Sequence, residues 1–306
     1  MDDVAVAFAF DDRILLGAAV SIRSLLDTAA DATRYNIHIL HPGLAPDIMA
    51  DFESMSQGTR HRMRFHRIDN ARFTGAPISR GSWREVVYFR LLLPEVLEEY
   101  DRVIYSDVDV CFCRDLADVF RTDISDCQWA GVVAEVNDAD TVTHTHFPEN
   151  PKPYIYMSGF MLMNLRKMRE DRITERCFSV IREFGPRLRF FDLDTLNLAA
   201  DSIKALPLAY VTLESVYALA DMTEASEFGF LSRVYSREEL EDARRSPAVI
   251  HYAGKLGKPW HRPRPPDYYQ RYVDTIPPGL RKTTFRDWLR RLRARLFPKK
   301  FRLRDL

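Results

Sequence analysis

Seven consecutive apolar residues open the chain: Val4–Phe10 reads VAVAFAF and stops at the acidic pair Asp11-Asp12. A strand with one wet face alternates polar and apolar residues. An unbroken run of this kind is covered on both faces, as in a parallel sheet flanked by helices. The chain then keeps a strand–helix rhythm. A helical pattern spans Leu15–Leu26 with Ala18, Ile22, Leu25 and Leu26 inward; Tyr35–Leu40 is a second strand, Ala45–Met55 a second helix and Met63–Ile68 a third strand. Val86, Phe89, Arg90 and Leu93 recur at helical spacing within Glu85–Leu97, and the short run Val103-Ile104-Tyr105 follows. This alternation predicts an α/β fold built on a doubly wound, mostly parallel sheet. The sequence contains no GxGxxG, so it carries no dinucleotide fingerprint.

Ser106 breaks the last of these strands, and Asp107 and Asp109 follow one residue apart in RVIYSDVDVCFCR, Arg102–Arg114. Strand ends in open α/β sheets are where ligands bind. Two carboxylates held there repel each other, and a divalent cation relieves the repulsion. Asp107-Val108-Asp109 therefore reads as a metal-binding DxD. Two other readings fit the same letters. Asp is common at turns and helix caps, and aspartyl-phosphate phosphohydrolases also carry a DxD after an apolar strand.

Trp129–Val133 is a further strand ending near Glu135, and Thr141–Pro153 reads as loop, its His144 and His146 not expected to ligate metal. Tyr156–Leu165 is apolar core around Gly159, and Ile173–Phe184 is an amphipathic helix. Phe191–Ala200 begins another helix, with Asp192 and Asp194 near its N-terminus, where acids complement the helix dipole. Ala248–Ala253 is a late strand carrying His251, and it leads into Gly254-Lys255-Leu256-Gly257-Lys258-Pro259-Trp260-His261. Glycines let backbone approach a phosphate, and Lys258 supplies charge.

The 306 residues, 46% apolar and 29% charged, have an ordinary soluble composition with enough chain for a sizeable core. No apolar run reaches the length of a membrane span, and Met1-Asp2-Asp3 is acidic where a secretory leader is basic. Cys111, Cys113, Cys127 and Cys177 form neither a paired zinc pattern nor a disulfide framework, which points to reduced, cytosolic thiols. Formal net charge is zero but unevenly spread: from Arg281 onward eleven Lys/Arg face two Asp, leaving the rest net acidic by nine. Phe285, Trp288, Leu289, Leu292 and Leu296 share one helical face, with Arg286, Arg290, Arg291, Arg293 and Arg295 over much of the remainder. That is the profile of a helix lying on an anionic membrane surface. The competing reading is a helix docked on its own domain. Nucleic acid is not an expected partner, because the body is acidic and lacks a binding motif. The division expected is a body over 1–262 and a Pro-rich linker with a basic tail over 263–306, the tail separable from the chemistry.

Six motifs in order carry a resemblance: FAFDD (Phe8–Asp12), YFR (Tyr88–Arg90), YSDVDV (Tyr105–Val110), SGFMLMNL (Ser158–Leu165), DLDTLN (Asp192–Asn197) and HYAGKLGKPWH (His251–His261). The chain resembles the family 8 retaining glycosyltransferases, the group of bacterial lipopolysaccharide α-galactosyl- and α-glucosyltransferases and the glycogenins. The likeness runs from Val4 to about His261 and disfavours the phosphohydrolase reading. It implies a GT-A-type, Rossmann-like catalytic domain over 1–262 that moves a hexose, galactose or glucose, from a UDP-sugar to a glycan or lipid-linked saccharide acceptor. By the same likeness Asp107, Asp109 and His251 would hold Mn²⁺, or alternatively Mg²⁺, which binds the diphosphate. Lys258, with Gly254 and Gly257, would add to the phosphate site. Asp11 would accept from the uracil N–H, with Ala9 against the base and Asp12 beside it. Arg90 would contact the DxD region and the sugar, and Asp192 would accept a sugar hydroxyl. Val108, Glu135, Ser158 and Gly159 would complete the donor site. Such an enzyme works at the cytoplasmic face of the cell membrane. Four positions depart from the family pattern: Met157 where Asn is common, Leu193 where Gln is common, Ile14 where an aromatic residue often stacks on uracil, and, more mildly, Glu135 where Asp often contacts the sugar. They leave open a member that binds UDP and metal with altered donor choice or without transfer.

Overall fold

The computed structural model describes residues 2–79, 84–296 and 303–304. Ten strands form two sheets. They are β1 (Asp2–Ala9), β2 (Thr33–His41), β3 (Arg62–Arg67), β4 (Arg102–Ser106), β5 (Val110–Phe112), β6 (Trp129–Val136), β7 (Tyr154–Asn164), β8 (Ile203–Leu206), β9 (Thr212–Leu213) and β10 (Val249–His251). The large sheet has the order β3-β2-β1-β4-β7-β6-β8, and the small one β5-β10-β9. β1, β2, β3 and β4 run parallel, as do β6 and β8, while β7 lies antiparallel between β4 and β6.

The uniform apolarity of β1 follows from its position. Val4, Val6 and Phe8 enter one core layer with Ile22 and Leu25 of the helix Leu15–Asp27; Ala5, Ala7 and Ala9 enter the other with Phe89 and Leu92. Both faces of the strand are covered, so neither tolerates a polar side chain. Phe8 is fully buried, and truncating such a residue to Ala costs about 3–5 kcal/mol.

Four local features differ from the sequence expectation. Glu85–Leu92 is a 3₁₀ helix that becomes α only at Leu93–Val96; β-branched Val86-Val87 and the following Pro94 disfavour a regular α-helix. Within Thr141–Pro153 a short helix, Val142–His146, is capped by Thr141, whose side chain accepts from the His144 amide. The apolar stretch around Gly159 is the strand β7. The helix Arg237–Arg245, absent from the expectation, starts on a capping box between Ser236 and Glu239.

The proline-rich stretch after His261 is not detached from the body. Tyr269, Ile276 and Leu280 are buried in the same core as β1. The basic helix spans Phe285–Leu296, as its periodicity predicts. Lys299, Lys300 and Arg302 of the tail lie outside the described residues. Among the described residues no helix is long and apolar enough to cross a membrane.

Candidate active site

The site forms where β4 and β10 end, beside Gly159 in the middle of β7. Asp107 directly follows β4, and its amide donates to the Gly159 carbonyl at 2.8 Å, extending the β4–β7 pairing by one residue. Asp109 precedes β5, and its carbonyl accepts from the Tyr252 amide at 2.9 Å. β10 pairs antiparallel with β5 in the register His251↔Val110, which carries His251 from the far end of the chain to the DxD. Donor atoms of Asp107, Asp109 and His251 all lie within 4.8 Å of one another. His251 Nε2 is 3.2 Å from Asp109 Oδ1 and 3.8 Å from Asp107 Oδ2.

This arrangement suits a divalent cation for two reasons. Two carboxylate oxygens and one imidazole form a mixed O/N donor set that leaves coordination positions for other ligands. Gly159 also leaves the space open: a Cβ there would lie 2.9 Å from His251 Cε1 and 3.0 Å from Asp107 Oδ2.

Cations of the chain itself flank the carboxylates. Burial alone would raise the Asp109 carboxyl, but Lys258 and His251 outweigh it and hold the group well below the usual carboxylate range. Lys258 Nζ contacts Asp109 Oδ2 and donates to the Tyr252 carbonyl at 2.8 Å. Its loop needs glycine: Gly254 and Gly257 have φ of +94° and +75°, and a Cβ on Gly254 would lie 2.5 Å from Glu227 Oε1.

Arg90, almost wholly buried, joins the other half of the site. It donates to Asp107 Oδ1 at 2.7 Å, the Ser158 carbonyl at 2.7 Å and the Val87 carbonyl at 3.0 Å, and lies 4.2 Å over the Tyr105 ring. Asp192 Oδ2 is 3.1 Å from the guanidinium but has no hydrogen-bond partner among the described residues, so that pairing is Coulombic. Burial raises the Asp192 carboxyl to about 6 against the opposing pull of Arg90. Removing one partner of such a buried pair costs about 3–5 kcal/mol.

Asp192 and Asp194 thus do different work. Asp194 Oδ2 accepts from the amides of Arg189 and Phe190 at 2.7 and 2.8 Å, tying the turn before the helix Asp192–Ala199. Phe191 within that turn has φ 44° and ψ −100°, a conformation costly for a residue with a side chain. Its carbonyl accepts from Thr195 Oγ1 at 2.7 Å, and its ring is buried edge-on to Tyr88. The held strain aims Asp192 at Arg90.

The remaining expected residues have separate placements. Ala9 ends β1, beside β4 in the sheet, and Asp11 caps the turn Asp12–Ile14. Asp11 accepts from the Arg13 amide at 3.0 Å and Arg13 Nε at 2.8 Å; Asp12 is exposed. Val108 and Ser158 are buried within the cluster's backbone. Glu135 lies on β6, accepting from Thr143 Oγ1 at 2.7 Å, and burial raises its carboxyl. His144 and His146 lie outside the cluster of Asp107, Asp109 and His251: they bond Asn137 and Arg189.

Three participants escaped the sequence reading. Tyr105 supports Arg90 from below, and its hydroxyl lies 3.3 Å from Asp107 Oδ1. Glu214 is fully buried and bonds Arg262 Nη1 at 2.9 Å, while Arg262 Nη2 reaches the Gly257 carbonyl at 2.6 Å. Tyr105 could have been marked by its place beside the DxD. Glu214 looks in sequence like any acid opening a helix.

A family model, Glycosyl transferase family 8, matches residues 5–263. The chain is 25% identical over 261 residues to a lipopolysaccharide 1,2-glucosyltransferase of Escherichia coli, covering 84% of this chain and 73% of the relative. It is 22% identical over 272 residues to a lipopolysaccharide 1,3-galactosyltransferase of Salmonella typhimurium, covering 85% and 74%. Among solved structures, the galactosyltransferase LgtC in complex with donor and acceptor sugar analogues superposes with a TM-score of 0.75 at 21% identity, covering 91% of this chain and 99% of that one. The bifunctional glycosyltransferase WbbM gives 0.72 at 19% identity, and the chain spans 52% of its length. The α/β architecture is therefore of the GT-A type, and with a family model matching nearly its whole length the chain belongs to glycosyl transferase family 8.

Proposed function

We propose that this protein is a metal-dependent retaining hexosyltransferase that moves galactose or glucose from a UDP-sugar to a lipopolysaccharide, polysaccharide or other glycan acceptor with α-linkage. The observation that carries the reading is the Asp107, Asp109 and His251 cluster in a chain of this family. These residues would hold Mn²⁺ or Mg²⁺, which when bound supplies positive charge to the departing diphosphate. Lys258, drawn to the same place by Asp109, adds a second positive charge for the phosphates. Asp192 offers a buried oxygen for a sugar hydroxyl, oriented by Arg90. Ala9 and Asp11 bind the uracil end, and Glu135, Ser158 and Gly159 line the sugar side.

The helix Asp192–Ala199 supplies no evident nucleophile. Leu193 forms no covalent intermediate, Asp192 is paired with Arg90, and Asp194 is engaged by two backbone amides. Retention is then a front-face displacement, in which the leaving diphosphate draws the proton from the incoming hydroxyl. UDP-galactose and UDP-glucose hydrolysis with and without EDTA, followed by NMR of the anomeric proton in the transferred product, tests the reading. Turnover unaffected by EDTA, or a β-linked product, overturns it.

We infer that the tail brings the enzyme to the inner face of the cell membrane. Phe285 and Leu296 are exposed on a helix rich in arginine, and binding to anionic vesicles should fall as salt rises. A second reading rests on Met157 and Leu193, apolar where sugar contacts are expected: a UDP- and metal-binding member without transfer. UDP binding with no turnover of any UDP-sugar would favour it.

A further inference from the structure

The basic helix Phe285–Leu296 meets the body in an unusual way. Phe285 and Leu296 are 73% and 64% exposed, and Trp288, Leu289 and Leu292 are exposed with them. An amphipathic helix docked on its own domain ordinarily buries that stripe. Here the docking face is polar. Asp287 is buried, 7% exposed, and accepts from His261 Nε2 at 2.7 Å, with Arg290 Nη1 3.2 Å from the same nitrogen. Asp287 Oδ2 also accepts from the Thr284 amide and hydroxyl at 2.9 and 2.8 Å, which fixes the carboxylate at the helix start. One turn on, Arg291 Nε donates to the Trp260 carbonyl at 2.6 Å.

Both anchor points, Trp260 and His261, lie in the turn Pro259–His261 that directly follows Lys258. The opposite side of that turn is also fixed. The Trp260 ring fills the space over Gly17, where a Cβ would come within 2.9 Å of it, on the helix that follows Asp11 and Asp12. The turn is therefore gripped between the body and the tail helix, with the Lys258 ammonium at Asp109 just upstream.

We propose that Asp287 and Arg291 are positioning residues for the Gly254–His261 loop, so that the tail helix sets where Lys258 stands rather than serving as a separable appendage. The loop's role in holding diphosphate rests on the function proposed above; the mechanical link to the tail does not. Composition alone suggests that the tail can be removed without consequence. The docking geometry opposes that expectation, because both anchors sit on the segment that carries Lys258.

Two measurements on the full-length protein separate the link from the function. The amides of His261 and Arg262 donate to the carbonyls of Lys258 and Pro259 at 3.0 Å each, so their hydrogen exchange reports directly on the turn. Asp287→Ala and Arg291→Ala should each speed exchange at those amides. Each should also weaken binding of UDP with Mn²⁺, measured calorimetrically without lipid, by roughly five- to thirtyfold, as expected for losing an interaction of this kind. Asp287→Asn, which can still accept from His261, should recover part of both effects, a rescue that general destabilisation would not produce. Unchanged exchange at His261 and Arg262 in both alanine variants overturns the proposal. If exchange rises but the unaltered protein binds no UDP with Mn²⁺, the link stands and the donor assignment fails. If UDP binds and exchange rises but the variants bind it as well as the unaltered protein, the positioning role is refuted.

Discussion

Replacing Gly159 by Ala tests the metal site with one methyl group. The strand β7 is central in the sheet, and Gly159 lies outside the positive-φ region, so the backbone accepts alanine without strain. The methyl would stand 2.9 Å from His251 Cε1 and 3.0 Å from Asp107 Oδ2, closer than carbon atoms normally come to either. Here β7 is tied to β4, through the Ser106↔Phe160 pairing and the Asp107 amide on the Gly159 carbonyl, so the side chains must give way. Overpacking of this degree costs about 1–3 kcal/mol, and the displaced groups are two of the three proposed to hold the metal. Gly159→Ala should therefore lower Mn²⁺ affinity by about ten- to a hundredfold, the range seen when support of metal ligands is disturbed. Titration calorimetry or the EPR signal of free Mn²⁺ gives the affinity, and thermal unfolding confirms that the sheet survives. Gly229→Ala is the matched control: its Cβ would meet no atom of the described residues within 4 Å. Equal Mn²⁺ affinity in Gly159→Ala and the unaltered protein would refute the assignment of the cluster as a metal site.

Asp194→Asn should keep activity and stability, since an amide oxygen can accept from Arg189 and Phe190. Asp194→Ala should cost about 1–3 kcal/mol for each amide left unpaired and release the Phe191 turn. Denaturant unfolding and UDP-sugar hydrolysis distinguish them; a folded, inactive Asn variant would show that the carboxylate takes part in the chemistry. A pH effect arises far from the site. His38 is buried against His66, Nδ1 to Nε2 at 3.0 Å, and burial pushes its imidazole down to about 3, with His66 and Arg64 adding to the effect. Above pH 6.5 it is neutral folded or unfolded. Below that the unfolded chain takes a proton that the native one refuses, so stability falls as pH drops toward 3. From pH 7 to 5 the loss is about 2 kcal/mol. His38→Phe should flatten the curve in urea unfolding series, and an unchanged slope would count against the buried neutral state.

Much of the fold was legible because burial on both sheet faces leaves a plain signature. The apolar β1 and the periodic helix Phe285–Leu296 are both found where the sequence places them. The grouping of Asp107, Asp109 and His251 was legible through motif resemblance, since nothing in the spacing between Asp109 and His251 reveals the β5–β10 register. Asp192 and Asp194 show the boundary clearly. Both look like helix-start acids, but only Asp194 takes the neighbouring amides. The difference lies in a backbone twist at Phe191 that no residue pattern signals. Periodicity also identified the tail's apolar stripe without saying which face meets the body. Asp287 and Arg291 settle that through contacts with a turn distant in sequence.

The register that sets His251 opposite Val110 also fixes an order in time. During synthesis Asp107 and Asp109 emerge long before their third companion. β4 can pair with β1 and then β7 while β5 still has no partner strand. Closing so long a loop is among the slower steps in forming a fold. Until then the two carboxylates face each other without His251 or Lys258. A growing or truncated chain that stops before β10 would carry all seven strands of the large sheet but only two of the three clustered side chains. On the metal assignment proposed above, capture becomes a late checkpoint: an ion that prefers the finished site would pull the last docking step forward by mass action. Depleting divalent ions during refolding should slow the arrival of β10 more than the formation of the β1–β4 sheet.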